Sequence, residues 1–97
     1  MYLIHVCLRH PDGSPLPRYM AEAMARAATG IAAVVHVAVH TEAWPHPTIG
    51  VYLRASTLEA AERSAQEIWY AAQATYPCLR DWVLVRAEAP LMPSIEL

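Results

Sequence analysis

Six segments of regular periodicity follow one another along this chain of 97 residues. Apolar residues alternate with other residues in the strand-like segments, and they recur every three to four positions in the helix-like ones. Alternation predicts strands at 2–9, 31–41, 48–55 and 82–88. The order is strand, helix, strand, strand, helix, strand. Few folds of this length are compatible with that order of elements.

Two helices are expected between these strands because residues typical of helix ends border the apolar stripes. Ser14 followed by Pro15 is typical of an N-cap with proline at the first helical position, and Gly30 is suited to ending that helix. Ser56, with Glu59 three residues later, fits a capping box for a second helix that runs to Thr75.

This order of elements predicts an α+β fold of the ferredoxin-like βαββαβ type. Right-handed crossovers would place both helices on one face of a four-stranded antiparallel sheet, in the strand order 4-1-3-2. We expect residues 1–89 to form a single ferredoxin-like domain. Residues 90–97 would follow it as a proline-rich apolar C-terminal tail.

Strict alternation assigns each strand residue to one face of the sheet. The residues predicted to face the helices are Tyr2, Ile4, Val6, Leu8, Val35, Val37, Val39, Ile49, Val51, Leu53, Val83 and Val85. The opposite face would carry Leu3, His5, Cys7, Arg9, Val34, His36, Ala38, His40, Tyr52, Arg54, Trp82, Leu84, Arg86 and Glu88. Its apolar members form a patch larger than monomers usually expose. We expect a second copy to cover it and form a homodimer, the tail being the other possible cover.

The composition excludes several classes of protein. The net charge is -2 and no lysine is present, which argues against a nucleic-acid-binding protein. No apolar run is long enough to span a bilayer, so no membrane association is expected. The N-terminal residues lack the basic region of a signal peptide, and the two cysteines have no paired spacing. A cytoplasmic location is the resulting expectation.

The topology and the apolar second face resemble those of the dimeric α/β-barrel superfamily. In that superfamily two ferredoxin-like sheets pack face to face, and its members include small antibiotic-biosynthesis monooxygenases, aromatic polyketide cyclases and muconolactone isomerases. The resemblance covers residues 1–89 and involves no residue motif, so no catalytic residue is transferred from the family. It implies a homodimer and a cleft that accepts a small apolar or aromatic ligand.

Candidate catalytic residues lie on the second face, namely His5, His36, Tyr52 and Arg54. Histidine can act as a general base, tyrosine can donate to a developing oxyanion, and arginine can hold a carboxylate. The alternative is that these residues pack and form ion pairs at an interface. No cofactor and no metal site are predicted, because His36 and His40, four apart on a strand, would lie ~13 Å from each other.

Two functions are compatible with these observations. The first is a small homodimeric binding or accessory protein that uses the second sheet face for self-association. The alternative is a cofactor-independent enzyme of the dimeric α/β-barrel kind, of the monooxygenase, cyclase or isomerase type. It would act on an aromatic or polyketide-like small molecule, with the four candidate residues at its site.

Overall fold

The computed structural model describes residues 1–40 and 46–90. The elements are β1 (Tyr2–Arg9), α1 (Met20–Ala27), β2 (Ala33–His40), β3 (Thr48–Arg54), α2 (Leu58–Thr75), a short 3-10 helix (Pro77–Leu79) and β4 (Val83–Glu88). The strands form one antiparallel sheet in the order β2-β3-β1-β4, which is 4-1-3-2 read from the opposite edge. The α+β class is therefore confirmed. None of the described helices is long and apolar enough to cross a membrane.

The hydrophobic core lies between one face of the sheet and the two helices. The central strands contribute the alternating residues Ile4, Val6, Leu8, Ile49, Val51 and Leu53, all fully buried as the alternation predicts. Helix α1 contributes Met20 and Met24, and α2 contributes Ile68 and Trp69 to the same cluster. Burying a side chain of this size stabilises the fold by about 1.5–3 kcal/mol. This packing fixes which face of the sheet remains uncovered.

Helix α1 begins at Met20, later than the sequence predicts. Pro15 and Pro17 disfavour helical backbone at the residues that precede them, which delays the helix. Leu16, in the extended segment, is buried in the core instead. Gly30 follows the helix with a φ of 85°, a left-handed conformation that suits glycine, so its predicted role at the helix end is supported.

Helix α2 is capped by the residue after the predicted one. The hydroxyl of Thr57 accepts a hydrogen bond from the main-chain N–H of Ala60 at 3.0 Å, which makes Thr57 the N-cap. The prediction of Ser56 as the N-cap was wrong by one residue, because either hydroxyl can accept from a main-chain N–H in the first turn. The predicted end at Thr75 is confirmed.

A β-bulge in β2 reverses the predicted faces of two residues. Val34 pairs with Leu53 and His36 pairs with Tyr52, so Val35 is an extra residue at the register shift. Val34 consequently packs against the core, whereas Val35 is 53% exposed. The assignment of Val35 to the core and Val34 to the opposite face was therefore wrong. An inserted residue interrupts the alternation on which the prediction depended.

A second register shift has the same effect in β4. Cys7 pairs with Arg86 and Leu8 pairs with Leu84, so the extra residue is Val85. The residues buried or packed on the core from this region are Trp82, Leu84 and Ala87, while Val83 and Val85 are exposed. The prediction had Val83 and Val85 in the core and Trp82 and Leu84 outside it, and both assignments were wrong.

Some predictions concern residues outside the described ranges. These are the connection at 41–45, including the last residue of the predicted second strand, and most of the C-terminal tail at 91–97.

Candidate functional site

The sheet face opposite the helices, here called the open face, is where the predicted site residues lie. The strand register places His5 beside Gly50, and Gly50 beside Ala38 on β2. One pair further along, Leu3 lies beside Tyr52, which in turn pairs with His36. The middle of the open face is thus built from the two central strands and β2.

Gly50 creates a shallow depression at this central position. A Cβ atom added there would lie 3.3 Å from Cδ1 of Leu3 and 3.6 Å from Nε2 of His40. The imidazole of His40 therefore reaches over the glycine towards β1. Its ring centroid lies 6.0 Å from that of His5, with an angle of 53° between the ring planes. The missing side chain of Gly50 allows two histidines from non-adjacent strands to meet.

The environment of His5 favours its neutral form. Partial burial lowers the pKa of His5 below its ordinary value of 6.5, and repulsion from His40 lowers that pKa further. Neutral imidazole carries an unprotonated ring nitrogen, the form that serves as a base or a metal ligand. His5 therefore retains this capacity below the pH at which a free histidine loses it.

The four candidate catalytic residues do not converge on one point. His36 and Tyr52 are neighbours, with ring centroids 6.0 Å apart, but the aromatic partner of His5 is His40. Arg54 is exposed at the end of β3. Within residues 1–40 and 46–90, no side-chain hydrogen bond joins any two of His5, His36, Tyr52 and Arg54.

His40 was not among the predicted catalytic residues. It pairs with Thr48, two positions from the Ala38–Gly50 pair, so it lies diagonally from His5 across β3. The signal that could have identified it is the glycine between them, since a strand glycine often marks a place where other groups approach the backbone closely.

Permanent charges on the open face lie at its periphery. Arg9 and Arg54 are exposed at strand ends, and β4, an edge strand, carries Arg86 and Glu88. Nε of Arg86 lies 3.5 Å from Oε2 of Glu88, and both side chains are about half exposed. This ion pair contributes little to stability because solvent screens it.

The buried part of the open face is the pair formed by Cys7 and Thr48. The Thr48 hydroxyl donates to the carbonyl oxygen of His46 at 3.1 Å and lies 3.6 Å from the Cys7 thiol. Both side chains are almost fully buried, although the register places them on the open face. Burial makes Cys7 a packing residue and not a reactive thiol.

Several large apolar side chains of the sheet are exposed. Tyr52 is 36% exposed at the centre of the open face, and Val83 is 42% exposed opposite Arg9. Val35 and Val85, at the two register shifts, are 53% and 38% exposed. The two register shifts thus remove Val34, Trp82 and Leu84 from the predicted patch but leave other apolar side chains in solvent.

A solvent-open groove of about 610 Å³ lies between α1 and β2. Its lining is rich in alanine and includes one histidine, His36. The residues that line it are Ala21, Glu22, Ala25, Ala28, Thr29, Ala32, Ala33, Val34, Val35, His36 and Val37.

The described residues contain no group of three or more histidine, cysteine, aspartate or glutamate side chains placed to hold one metal ion. Comparisons with protein-family models, curated proteins and solved structures found no match to this chain.

Proposed function

We propose that this protein is a small homodimeric binding or accessory protein of the ferredoxin-like fold that self-associates through the open face. The observation that carries the proposal is the exposure of Tyr52 at the centre of a sheet face that no described element covers. The proposed dimer packs two sheets face to face, as in the dimeric α/β-barrel superfamily that the pattern resembles.

The distribution of polarity on the open face supports this proposal. Its middle contains Leu3, His5, Ala38, Gly50 and Tyr52, none of which is permanently charged. Arginine and glutamate side chains surround this area. Interfaces commonly have such a centre depleted in charge, with a polar rim. A second copy is the matching occupant because Glu88 of each copy can approach an arginine of the other on the rim.

The proposal is tested by sedimentation velocity on the whole chain and on two variants. Tyr52→Glu places a charge at the centre of the open face and should convert the dimer to a monomer with an unchanged circular dichroism spectrum. Tyr70→Glu is the matched control, since Tyr70 is 55% exposed on α2, away from this face, and the variant should remain dimeric. A wild-type chain that stays monomeric at all concentrations contradicts the proposal.

The enzyme alternative is favoured by one observation, the alanine-rich groove whose lining includes His36. Its size lies within the range of about 300–1,000 Å³ typical of small-molecule sites. In this alternative an aromatic substrate would occupy the groove, with Glu22 and His36, which line it, as the nearest groups for proton transfer. Chemical-shift changes on adding naphthol should then cluster at 21–37 and disappear in Ala25→Trp, which fills the groove. Changes confined to other residues would exclude the groove as the site.

A further inference from the structure

The two imidazoles that meet over Gly50 lie close enough together to bind one metal ion after a small rotation of their side chains. Zinc binds imidazole nitrogen at about 2.0–2.1 Å, so the centroids of two rings bound at a tetrahedral angle lie about 5 Å apart. The His5 and His40 centroids are 6.0 Å apart. Neither ring forms a hydrogen bond to any residue within 1–40 or 46–90, so their nitrogens remain available there.

The surroundings of the pair do not repel a cation. Leu3, which is apolar, borders the depression on one side. On β4, Glu88 lies opposite His5 in the register and is paired with Arg86, so the nearby permanent charges largely balance.

One chain supplies only part of a complete coordination sphere. Structural zinc sites take four ligands in a tetrahedron. Among the described residues no third histidine, cysteine, aspartate or glutamate joins the pair. His5 is on the central strand β1, and the His40 ring extends from the edge strand β2 to Gly50 of the central strand β3, so the two rings lie over the central strands of the face proposed to form the dimer. Residues near a two-fold axis meet their own copies across it.

We propose that His5 and His40 form half of a four-histidine site for a divalent transition-metal ion of the zinc type, completed by the same pair of a second copy. This inference rests on the proposed self-association through the open face. The ion would connect the central strand β1 with the edge strand β2 across β3, in addition to the apolar contacts around Tyr52. The spacing of His36 and His40 along one strand does not indicate this site, because the partner of His40 is His5 on β1.

The experiment titrates the metal-free chain with ZnCl₂ by isothermal calorimetry and measures sedimentation with zinc and with a chelator. We expect one zinc ion per two chains. His5→Ala and His40→Ala should each weaken zinc binding by more than the about 10- to 100-fold typical of losing a residue that only supports a ligand. His36→Ala is the matched control, since His36 lies on the same strand as His40 but contacts Tyr52, and it should retain wild-type affinity.

The possible outcomes separate this inference from the proposed dimer. A chain that is dimeric in chelator and binds no zinc refutes the metal site and leaves the dimer intact. A chain that remains monomeric with and without zinc refutes both. Zinc bound at one ion per chain, or binding unaffected by both His5→Ala and His40→Ala, refutes the shared site. Zinc-dependent dimerisation that His5→Ala abolishes supports both proposals.

Discussion

The side-chain amide of Gln73 donates a hydrogen bond to the carbonyl oxygen of Trp82, with the nitrogen and oxygen 2.8 Å apart. The same amide nitrogen lies 3.1 Å from the carbonyl oxygen of Leu79. One helix side chain thus satisfies the carbonyl groups of the turn that leads from α2 into β4. This turn places the indole of Trp82 in the core, where the residue is only 3% exposed.

Replacing Gln73 should destabilise the fold by more than replacing a glutamine that makes no such hydrogen bonds. Gln73→Met keeps the length of the side chain but removes the side-chain donor to the carbonyl oxygen of Trp82, at a cost of about 1–3 kcal/mol, whereas the Leu79 carbonyl still accepts from the main-chain N–H of Trp82. Gln66→Met, at an exposed position of the same helix, is the control and should change stability by less than about 0.5 kcal/mol. Urea unfolding measures both. Equal effects of the two substitutions would contradict a specific role for the amide.

Trp69 is fully buried, and its indole N–H has no hydrogen-bond partner in the described part of the chain. An unsatisfied buried donor costs about 1–3 kcal/mol, so Trp69→Phe removes a penalty while it loses some packing. We expect these terms to offset each other and leave the free energy of unfolding within about 1 kcal/mol of wild type. Trp69→Ala, which opens a large cavity, should cost about 3–5 kcal/mol. A comparable loss in both variants would indicate that the indole N–H is bonded.

Stability should fall in acid because of His5. Its pKa in the folded chain lies below the ordinary 6.5 of the unfolded chain, so the unfolded chain binds more protons between the two values. The contribution of neutral His5 to stability is therefore fully present above about pH 6.5, and it is lost as the pH falls through the pKa of His5 in the folded chain. The groups that face His5 are His40 from β2 and Glu88 from β4, with Cys7 next on its own face.

Chemical unfolding as a function of pH, in chelator, tests this expectation. His5→Gln should reduce the acid dependence, and His36→Gln is the control on the same face. In His40→Gln, an NMR titration should show the His5 pKa closer to 6.5, though still below it, because burial is the larger cause. A His5 pKa above 6.5 in the wild-type chain would contradict the conclusion that folding lowers this pKa.

The central strands and the second helix could be predicted from the sequence because their patterns are local. Ile4, Val6 and Leu8 alternate without interruption, and the apolar stripe of α2 continues from Ala61 to Ala72. The edge strands could not be assigned in the same way. Each contains an extra residue, and where a bulge falls depends on the partner strand and not on the strand's own sequence.

The site shows the same limit. The register places His36 beside Tyr52, which are two of the four predicted catalytic residues. The contact between His5 and His40 depends on three strands and on the glycine between the two rings, so no single segment of sequence contains it. The face of a strand residue is predictable where alternation continues without a bulge, whereas distances across a sheet require the register of every strand between the two residues.

The bulge in β2 makes a prediction that opposes simple alternation. Val34 packs on the core, so Val34→Ala should destabilise the fold by about 1 kcal/mol or more. Val35 is 53% exposed, so Val35→Ala should change the stability of the monomer by less than about 0.5 kcal/mol. Unfolding is measured at a dilution where sedimentation shows only monomer, which separates folding from self-association. Alternation without the bulge predicts the reverse order, and observing that order would show that β2 is in the other register.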